Sequence, residues 1–391
     1  MKRPSILVLG AGLVGSEIAC CLSELANVTV VDRNSKALVA LRTRRKDSLH
    51  QICADFFDTE YMRKLAASHD VVVGAIEPSI AYTVLTQVAE AGTPIVDISF
   101  YEESPLSLNL VAERCGIPIV VDCGVAPGLS NMLLGREMTR MRVDTFVCQC
   151  GGLPAEPKAP WYYKAPFAPR SVIDLYTRKA VIVSNGKRVE LDPLESPAKV
   201  RLSEYPELGM LMGITSDGLR TLLDTTDVAN MIDQSLRYPA HMRLVQDFIK
   251  SGFLSEDPVS VKNCDGRFVD VVPRVFTERI LADAWRLEDD EDEFTVFVAK
   301  MEGIVQGRRV FVTYNALERR DPVTGATSMS RMTGYPCAAV ALMLARKEIT
   351  RHGVIAPETI GGDEQQMQFV LDFMAAKGVS LSRSETVETI K

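Results

Sequence analysis

Two sets of residues in this sequence have the types and the spacing to do chemistry. The first is Gly10-Ala-Gly12-Leu13-Val14-Gly15, followed by Asp32. Glycines at this spacing permit a tight turn, bring bare backbone against a pyrophosphate and pack a helix closely on a strand. An acid about 20 residues further on can accept hydrogen bonds from ribose hydroxyls. The free N–H groups and positive dipole end of the helix would face the phosphates. The second set is dispersed: Arg237, Tyr238 and His241 in LRYPAH, Tyr163 and Lys164 in an aromatic loop, and Asp122. An arginine fork suits a carboxylate. Histidine titrates where proton transfer near neutrality needs it, and a lysine beside other cations can lose its proton and act as a base. Asp122 is placed either to bind an ammonium or to cap a turn.

The elements that must position the glycines are legible around them. Ile6 to Leu9 is a continuous apolar run, as expected for a strand covered on both faces. Glu17 to Leu25 reads as a helix, and Val28 to Val31 as a second strand with Asp32 at its tip. Asp70 to Ile76, Thr93 to Ser99 and Ile117 to Asp122 are further strands, and Ala81 to Gly92 is a helix closed by its glycine. This alternation predicts an α/β doubly wound parallel sheet, the Rossmann arrangement. Ligands of such sheets lie at the carboxyl ends of the strands, so Ala75 and Ile76 are expected to run along the cofactor. Gly124 and Val125, in the bend DCGVAPG, are expected near its nicotinamide. Asp32 would repel a 2′-phosphate, so NAD is the expected cofactor. Arg33 and the basic run Arg42 to Lys46 keep NADP open.

After Leu134 the rhythm changes. DTFVCQCGGLP reads as a strand ending in a Gly-Gly-Leu-Pro turn, and APWYYKAPFAPRS as a long loop folded over a site. Hairpins are expected at Asn185-Gly186, Asp265-Gly266 and Gln306-Gly307, so this second, inserted α+β unit is expected to hold antiparallel strands in a mixed or antiparallel sheet. Met242 to Ile249 reads as a helix, and MTGYPCAAVALMLARKEI as an apolar helix after a Gly-Tyr-Pro turn. The division expected is 1–124, 125–332, and a segment 333–391 that returns to the first domain.

Composition narrows the functional classes. A net charge of −7 over 391 residues argues against broad nucleic-acid binding. No apolar run is long enough for a membrane. The run Glu288 to Glu293 reads as a solvated turn. Nine cysteines without CxxC pairs, with only four histidines, give no metal-ligand spacing. The odd count and the absence of a targeting segment lead to a cytoplasmic expectation. Cys148 and Cys150 read as core strand residues, not nucleophiles.

GAGLVG with Asp32, DCGVAPGLSN, CGGLP before an aromatic loop, SLRYPAH and MTGYPCAA follow one another as in the saccharopine dehydrogenase and lysine 6-dehydrogenase superfamily, which the chain resembles over nearly its whole length. GVAPG looks more like the lysine branch, whereas CGGLP and RYP look equally like the saccharopine branch. The resemblance implies a nicotinamide-dependent amino-acid dehydrogenase that oxidises a C–N bond, the imine then being hydrolysed. It implies an inserted domain giving substrate and often dimer contacts, hence a homodimer or higher oligomer. Lysine is the first expected substrate, with saccharopine or a carboxylated polyamine as alternatives. A non-catalytic dinucleotide-binding protein is the alternative from another class. Arg237, Tyr238, Gly151 and Gly152 are the expected substrate contacts. His241, Lys164, Tyr163 and Asp122 are the candidates for proton transfer.

Overall fold

The computed structural model describes residues 3–44, 49–166, 169–195, 197–289 and 291–389. Part of the basic run (Arg45, Lys46), Phe167 of the aromatic loop and Asp290 of the acidic run lie outside them.

Six strands alternate with helices in the first third of the chain: β1 (Ser5–Leu9), β2 (Asn27–Asp32), β3 (Leu49–Cys53), β4 (Val71–Gly74), β5 (Ile95–Asp97) and β6 (Pro118–Val120). Except for the edge strand β3, whose LHQIC is only partly covered, they are short apolar runs buried on both faces, as parallel strands usually are. The strands that follow are β7 (Arg142–Pro154), β8 (Ala180–Ser184), β9 (Lys187–Leu191), β10 (Ala198–Val200), β11 (Leu211–Ser216), β12 (Asn230–Arg237), β13 (Val259–Lys262), β14 (Phe268–Val271), β15 (Glu293–Val305), β16 (Arg308–Arg319), β17 (Gly353–Ile355) and β18 (Ser382–Thr389). The parallel sheet runs β17-β6-β5-β4-β1-β2-β3, so its order reverses between β1 and β4. A ligand is expected at the carboxyl ends there.

The second sheet runs β10-β11-β12-β7-β15-β16-β18, with β8 and β9 attached to β12. It is mixed, not purely antiparallel, because β12 pairs with β7 in parallel. All three expected hairpins form: β8–β9, β13–β14 and β15–β16.

Three local expectations are corrected. Gly151 to Pro154 is no turn but the last part of β7, pairing with β15. A side chain on Gly151 would come within 2.8 Å of Leu236 on the neighbouring strand, and one on Gly152 within 2.5 Å of Pro166 in the loop over the sheet, so these glycines allow close packing. Gly334-Tyr335-Pro336 lies inside the helix Ser328–Ala345. That helix is buried almost all round, between the two sheets, and shares one core with strands of both. A helix apolar on every face needs such a place. Gly334 lets it approach the helix Leu13–Leu22, where a Cβ would lie 3.0 Å from Ile18, and Tyr335 donates to Glu17 at 2.9 Å. Finally, the C-terminal segment divides: β17 joins the parallel sheet, while β18 pairs with β16 in the second sheet.

Candidate active site

The glycine motif divides its work as its spacing suggests. Gly10 has φ +104°, and a Cβ there would sit 2.2 Å from the Ala75 carbonyl oxygen. Gly15 closes on Gly10 in the same way, at 2.3 Å. Gly12 differs: nothing lies within 4 Å of where its Cβ would be, so it faces open space at the start of the helix Leu13–Leu22. No side chain caps that helix, and its first turn carries no acid, so its N–H groups are left for a ligand. Leu13 is exposed at its entrance and Val14 is half-buried. Asp32 accepts from Ala11 N–H and from Asn34 N–H, each at 2.7 Å, which fixes its carboxylate beside the glycine turn. Arg33 pairs with Glu77 at 3.4 Å. Ala75 follows β4 and bonds back to Leu9, while Ile76 is buried. These residues fit a dinucleotide.

At the carboxyl ends of β5 and β6 stands a polar cluster. Asp122 meets Arg220 Nε at 3.2 and 3.3 Å. Arg220 Nη1 donates to the Tyr101 carbonyl at 2.7 Å, and the guanidinium lies 4.6 Å from the Phe100 ring centre. Arg220 Nη2 has no partner among the described residues. Asp122 (φ 50°) and Arg220 (φ 46°) both adopt the left-handed backbone region, a strain that non-glycine residues hold where geometry is imposed. Burial drives the Asp122 carboxyl upward, and Arg220 pulls it partly back. Asp97 is wholly buried and pushed up to about 8, chiefly by burial. It leans over β4, where a Cβ on Gly74 would lie 2.2 Å from its Oδ1. A small cavity of about 40 Å³ opens beside this cluster, lined by Pro78 and Phe100 from the first domain and by Asp174, Arg178 and Asp217 from the second.

The bend between β6 and the helix Leu129–Met138 forms the floor. Gly128 has φ +128°, and a Cβ there would strike Gly124. Asn131 accepts from Gly128 N–H and donates to Thr221, which ties the bend to the second domain. Gly124 and Val125 are buried within it, and Gly124 faces Thr333.

A second constellation lies at the end of β12. Arg237 is buried; its Nε donates to Tyr176 Oη at 3.0 Å and its Nη1 to the Leu236 carbonyl at 2.7 Å. The guanidinium lies 4.8 Å from the Tyr163 ring centre. No carboxylate among the described residues pairs with it. The hydroxyl of Tyr163 and the indole N–H of Trp285 nearby also lack partners. Tyr238 is anchored to the Pro154 carbonyl at 2.9 Å. Cys150 lies beside Arg237, and burial pushes its thiol up to about 12, which makes it a poor nucleophile.

Two proton-transfer candidates are corrected. His241 Nδ1 meets the Trp161 carbonyl at 2.9 Å and must therefore donate to it; Nε2 then accepts from Tyr176 at 2.8 Å. Desolvation lowers its pKa to about 3, so it stays neutral with both nitrogens engaged. It orients Tyr176, and through it Arg237. Lys164 is turned away: its amine donates to the Arg286 carbonyl at 2.8 Å and pairs with Glu291 at 3.2 Å. Tyr163 stacks on His241, ring centres 4.6 Å apart, as a wall of the Arg237 site. Arg220, Tyr101 and Asp97 escape a reading of the sequence, because no motif surrounds them and only the fold brings SDGLR against β6.

A parallel sheet with this glycine turn, and a polar cluster at its carboxyl ends, defines a nicotinamide-dinucleotide-dependent oxidoreductase. The saccharopine dehydrogenase NADP binding domain model matches residues 6–120, and the saccharopine dehydrogenase C-terminal domain model matches residues 124–379. The chain belongs to the saccharopine dehydrogenase family. It is 22% identical to the NADP(+), L-glutamate-forming saccharopine dehydrogenase of Schizosaccharomyces pombe, over 97% of this chain and 98% of that one. It is 23% identical to mouse mitochondrial alpha-aminoadipic semialdehyde synthase, over 65% of this chain and 29% of that protein. The fold matches apo saccharopine dehydrogenase (L-Glu forming) from Saccharomyces cerevisiae with a TM-score of 0.75 and 19% identity, covering 98% and 100% of the two chains. These relatives side with the saccharopine branch, which corrects the lysine 6-dehydrogenase leaning drawn from Gly124 to Gly128.

Proposed function

We propose that the chain is an amino-acid dehydrogenase of the saccharopine type, reversibly oxidising a C–N bond in a substrate that carries carboxylates. The observation behind this reading is the buried Arg237 guanidinium with no carboxylate partner among the described residues. A buried cation without a counterion is costly, so the site suits an anion that arrives with its ligand. Arg220, with Nη2 unpartnered, offers a second holder. Two such holders suit a substrate with several carboxylates better than lysine, which has one.

A bound nicotinamide supplies the hydride acceptor or donor. The glycine turn and helix N-terminus bind the pyrophosphate, and Asp32 takes the ribose. Tyr176 and His241 aim Arg237 at the substrate carboxylate. Asp122, raised by burial, is the group placed to take a proton from the substrate amine, since only a free amine yields hydride readily. Water then hydrolyses the imine. NAD is the preferred cofactor in this reading despite the family model's name, because Asp32 opposes a 2′-phosphate and Arg33 is engaged with Glu77. The enzyme works as a homodimer in the cytoplasm, a setting that suits nine unpaired cysteines.

A thermal-shift series tests the reading. Saccharopine added with NAD+ should raise Tm by several degrees beyond NAD+ alone, and Arg237→Met should abolish that second rise while keeping the first. A response to NAD+ with none to saccharopine or lysine would leave a non-catalytic nucleotide-binding protein.

A further inference from the structure

Asp97 is a carboxylate that the site holds and the chemistry above leaves unused. It ends β5 and is wholly buried, and neither of its carboxyl oxygens has a hydrogen-bond partner among the described residues. The hydroxyls of Ser99 and Tyr101 stand close by, buried and equally unpartnered. The neighbouring strand makes room for the acid: a side chain on Gly74 would come within 2.2 Å of its Oδ1. An acid buried without a donor is costly. Four orphan oxygens gathered in one place suit a group that arrives with a ligand.

The strand register says which part of the ligand that is. Val31, Leu9, Gly74 and Asp97 pair in one row across β2, β1, β4 and β5. Gly10 opens the pyrophosphate turn directly after Leu9, and Asp32, directly after Val31, takes the adenosine ribose. A dinucleotide laid from β2 over β1 must carry its nicotinamide half onward over β4 and β5. Asp97 lies two strands beyond Leu9, about 10 Å along the row at the usual strand spacing. The ionisable groups that face it leave it without a counterion. Asp122, after the end of β6, and Arg220, from the loop after β11, form their own ion pair. Tyr101 and Cys337, the latter on the helix Ser328–Ala345, are driven upward by burial and stay neutral.

We infer that Asp97 is the counter-charge to the nicotinamide: it releases its proton to solvent when the oxidised, cationic ring binds, and keeps it when the reduced, neutral ring binds. Burial pushes its carboxyl up to about 8, so in the free protein the proton is largely in place at neutral pH. A positive ring at close range favours the carboxylate, as any nearby cation does. The sign follows from linkage: the ionised acid holds the oxidised dinucleotide better, so affinity for that form rises with pH until the free protein has itself lost the proton. The protonated acid favours the reduced form by comparison. Asp97 thus makes the choice between the two forms of the cofactor depend on pH. The inference rests on dinucleotide binding and not on which amino acid is oxidised.

The test follows protons and binding, without turnover. The ligands are NAD+ and NADH, or NADP+ and NADPH if these bind more tightly. In weakly buffered solution at neutral pH, mixing the wild type with the oxidised form should release up to about one proton per chain, and mixing with the reduced form none. Kd for the oxidised form should fall several-fold as pH rises toward about 8 and level off above it, while Kd for the reduced form stays level. Asp97→Asn has the same size and is neutral at every pH. It should release no proton, lose the pH dependence, and at alkaline pH bind the oxidised form about tenfold more weakly with the reduced form unchanged. A wild type that releases no proton overturns the inference. So does a release that survives in Asp97→Asn, or an equal loss of both forms in that variant, which a merely structural role would give. Should the variant unfold, the wild type decides: release with the oxidised form alone upholds the inference, and none overturns it. Failure to bind either form would instead defeat the cofactor reading, and turnover without proton release on binding would leave the dehydrogenase reading standing.

Discussion

Arg237 is held by a relay: its Nε donates to Tyr176, Tyr176 to His241, and His241 to the Trp161 carbonyl. Replacing it by methionine keeps much of the apolar stem and removes the fork. KM for the amino-acid substrate should rise by about 100-fold, equivalent to about 3 kcal/mol of lost charge pairing, with a smaller change in kcat. An unchanged KM would remove Arg237 from the substrate site. His241 makes a separate prediction about stability. Its pKa is about 3 in the native chain and 6.5 when unfolded. Above pH 6.5 both states are neutral, so pH has no effect through this residue. Between 6.5 and 3 the unfolded chain takes up a proton that the native chain refuses, and native stability falls by about 1.4 kcal/mol per pH unit. Denaturant titrations should therefore show the stability gap between wild type and His241→Gln constant above pH 7 and shrinking below 6. A gap that does not move with pH would mean that His241 takes up its proton at the same pH in the native and the unfolded chain. The sequence singles out both residues, but it does not show that the histidine is buried with both ring nitrogens engaged. Residue type gives a reference pKa, whereas its shift comes first from burial, which only the folded chain imposes on the ring.

The glycine turn shows how one motif can hold two kinds of constraint. Gly10→Ala would place a methyl against the Ala75 carbonyl at positive φ, so it should lower the Tm of the cofactor-free protein by many degrees. Gly12→Ala meets only open space. It should leave that Tm within a degree or two, yet weaken NAD+ binding tenfold or more by standing where the pyrophosphate approaches. Fluorescence titration with NADH beside the melting curves separates the two; equal losses of stability would refute the division. Five of the first six strands were readable because fully covered strands are unbroken apolar runs, whereas the partly covered edge strand β3 (LHQIC) has no such run and was missed. The other errors came where glycine and proline serve packing. Gly151 and Gly152 let β7 lie close to Leu236 and Pro166, and Pro336 sits within a helix whose tertiary contacts outweigh its missing N–H. Neither use leaves a local mark that distinguishes it from a turn.

At the level of the whole molecule, the site is a product of chain return. The bend at Gly124 to Gly128 delivers the chain from the parallel sheet to the second one, and Asn131 and Thr221 fasten the two across it. The buried helix Ser328–Ala345 then fills the space between the sheets. That Asp122 meets Arg220, 98 positions away, follows from this topology and from nothing in either segment alone. The glycine turn with Asp32 was therefore legible in sequence, being local, while the residues gathered around Asp122 and Arg237 were visible only as scattered candidates. The most direct test of the account is absorbance at the reduced-nicotinamide band, with saccharopine, lysine and carboxylated polyamines each offered with NAD+ and with NADP+. The account predicts turnover with saccharopine, faster with NAD+, and a hundredfold higher KM in Arg237→Met. Silence with every pair, from protein that still binds the dinucleotide, would contradict it.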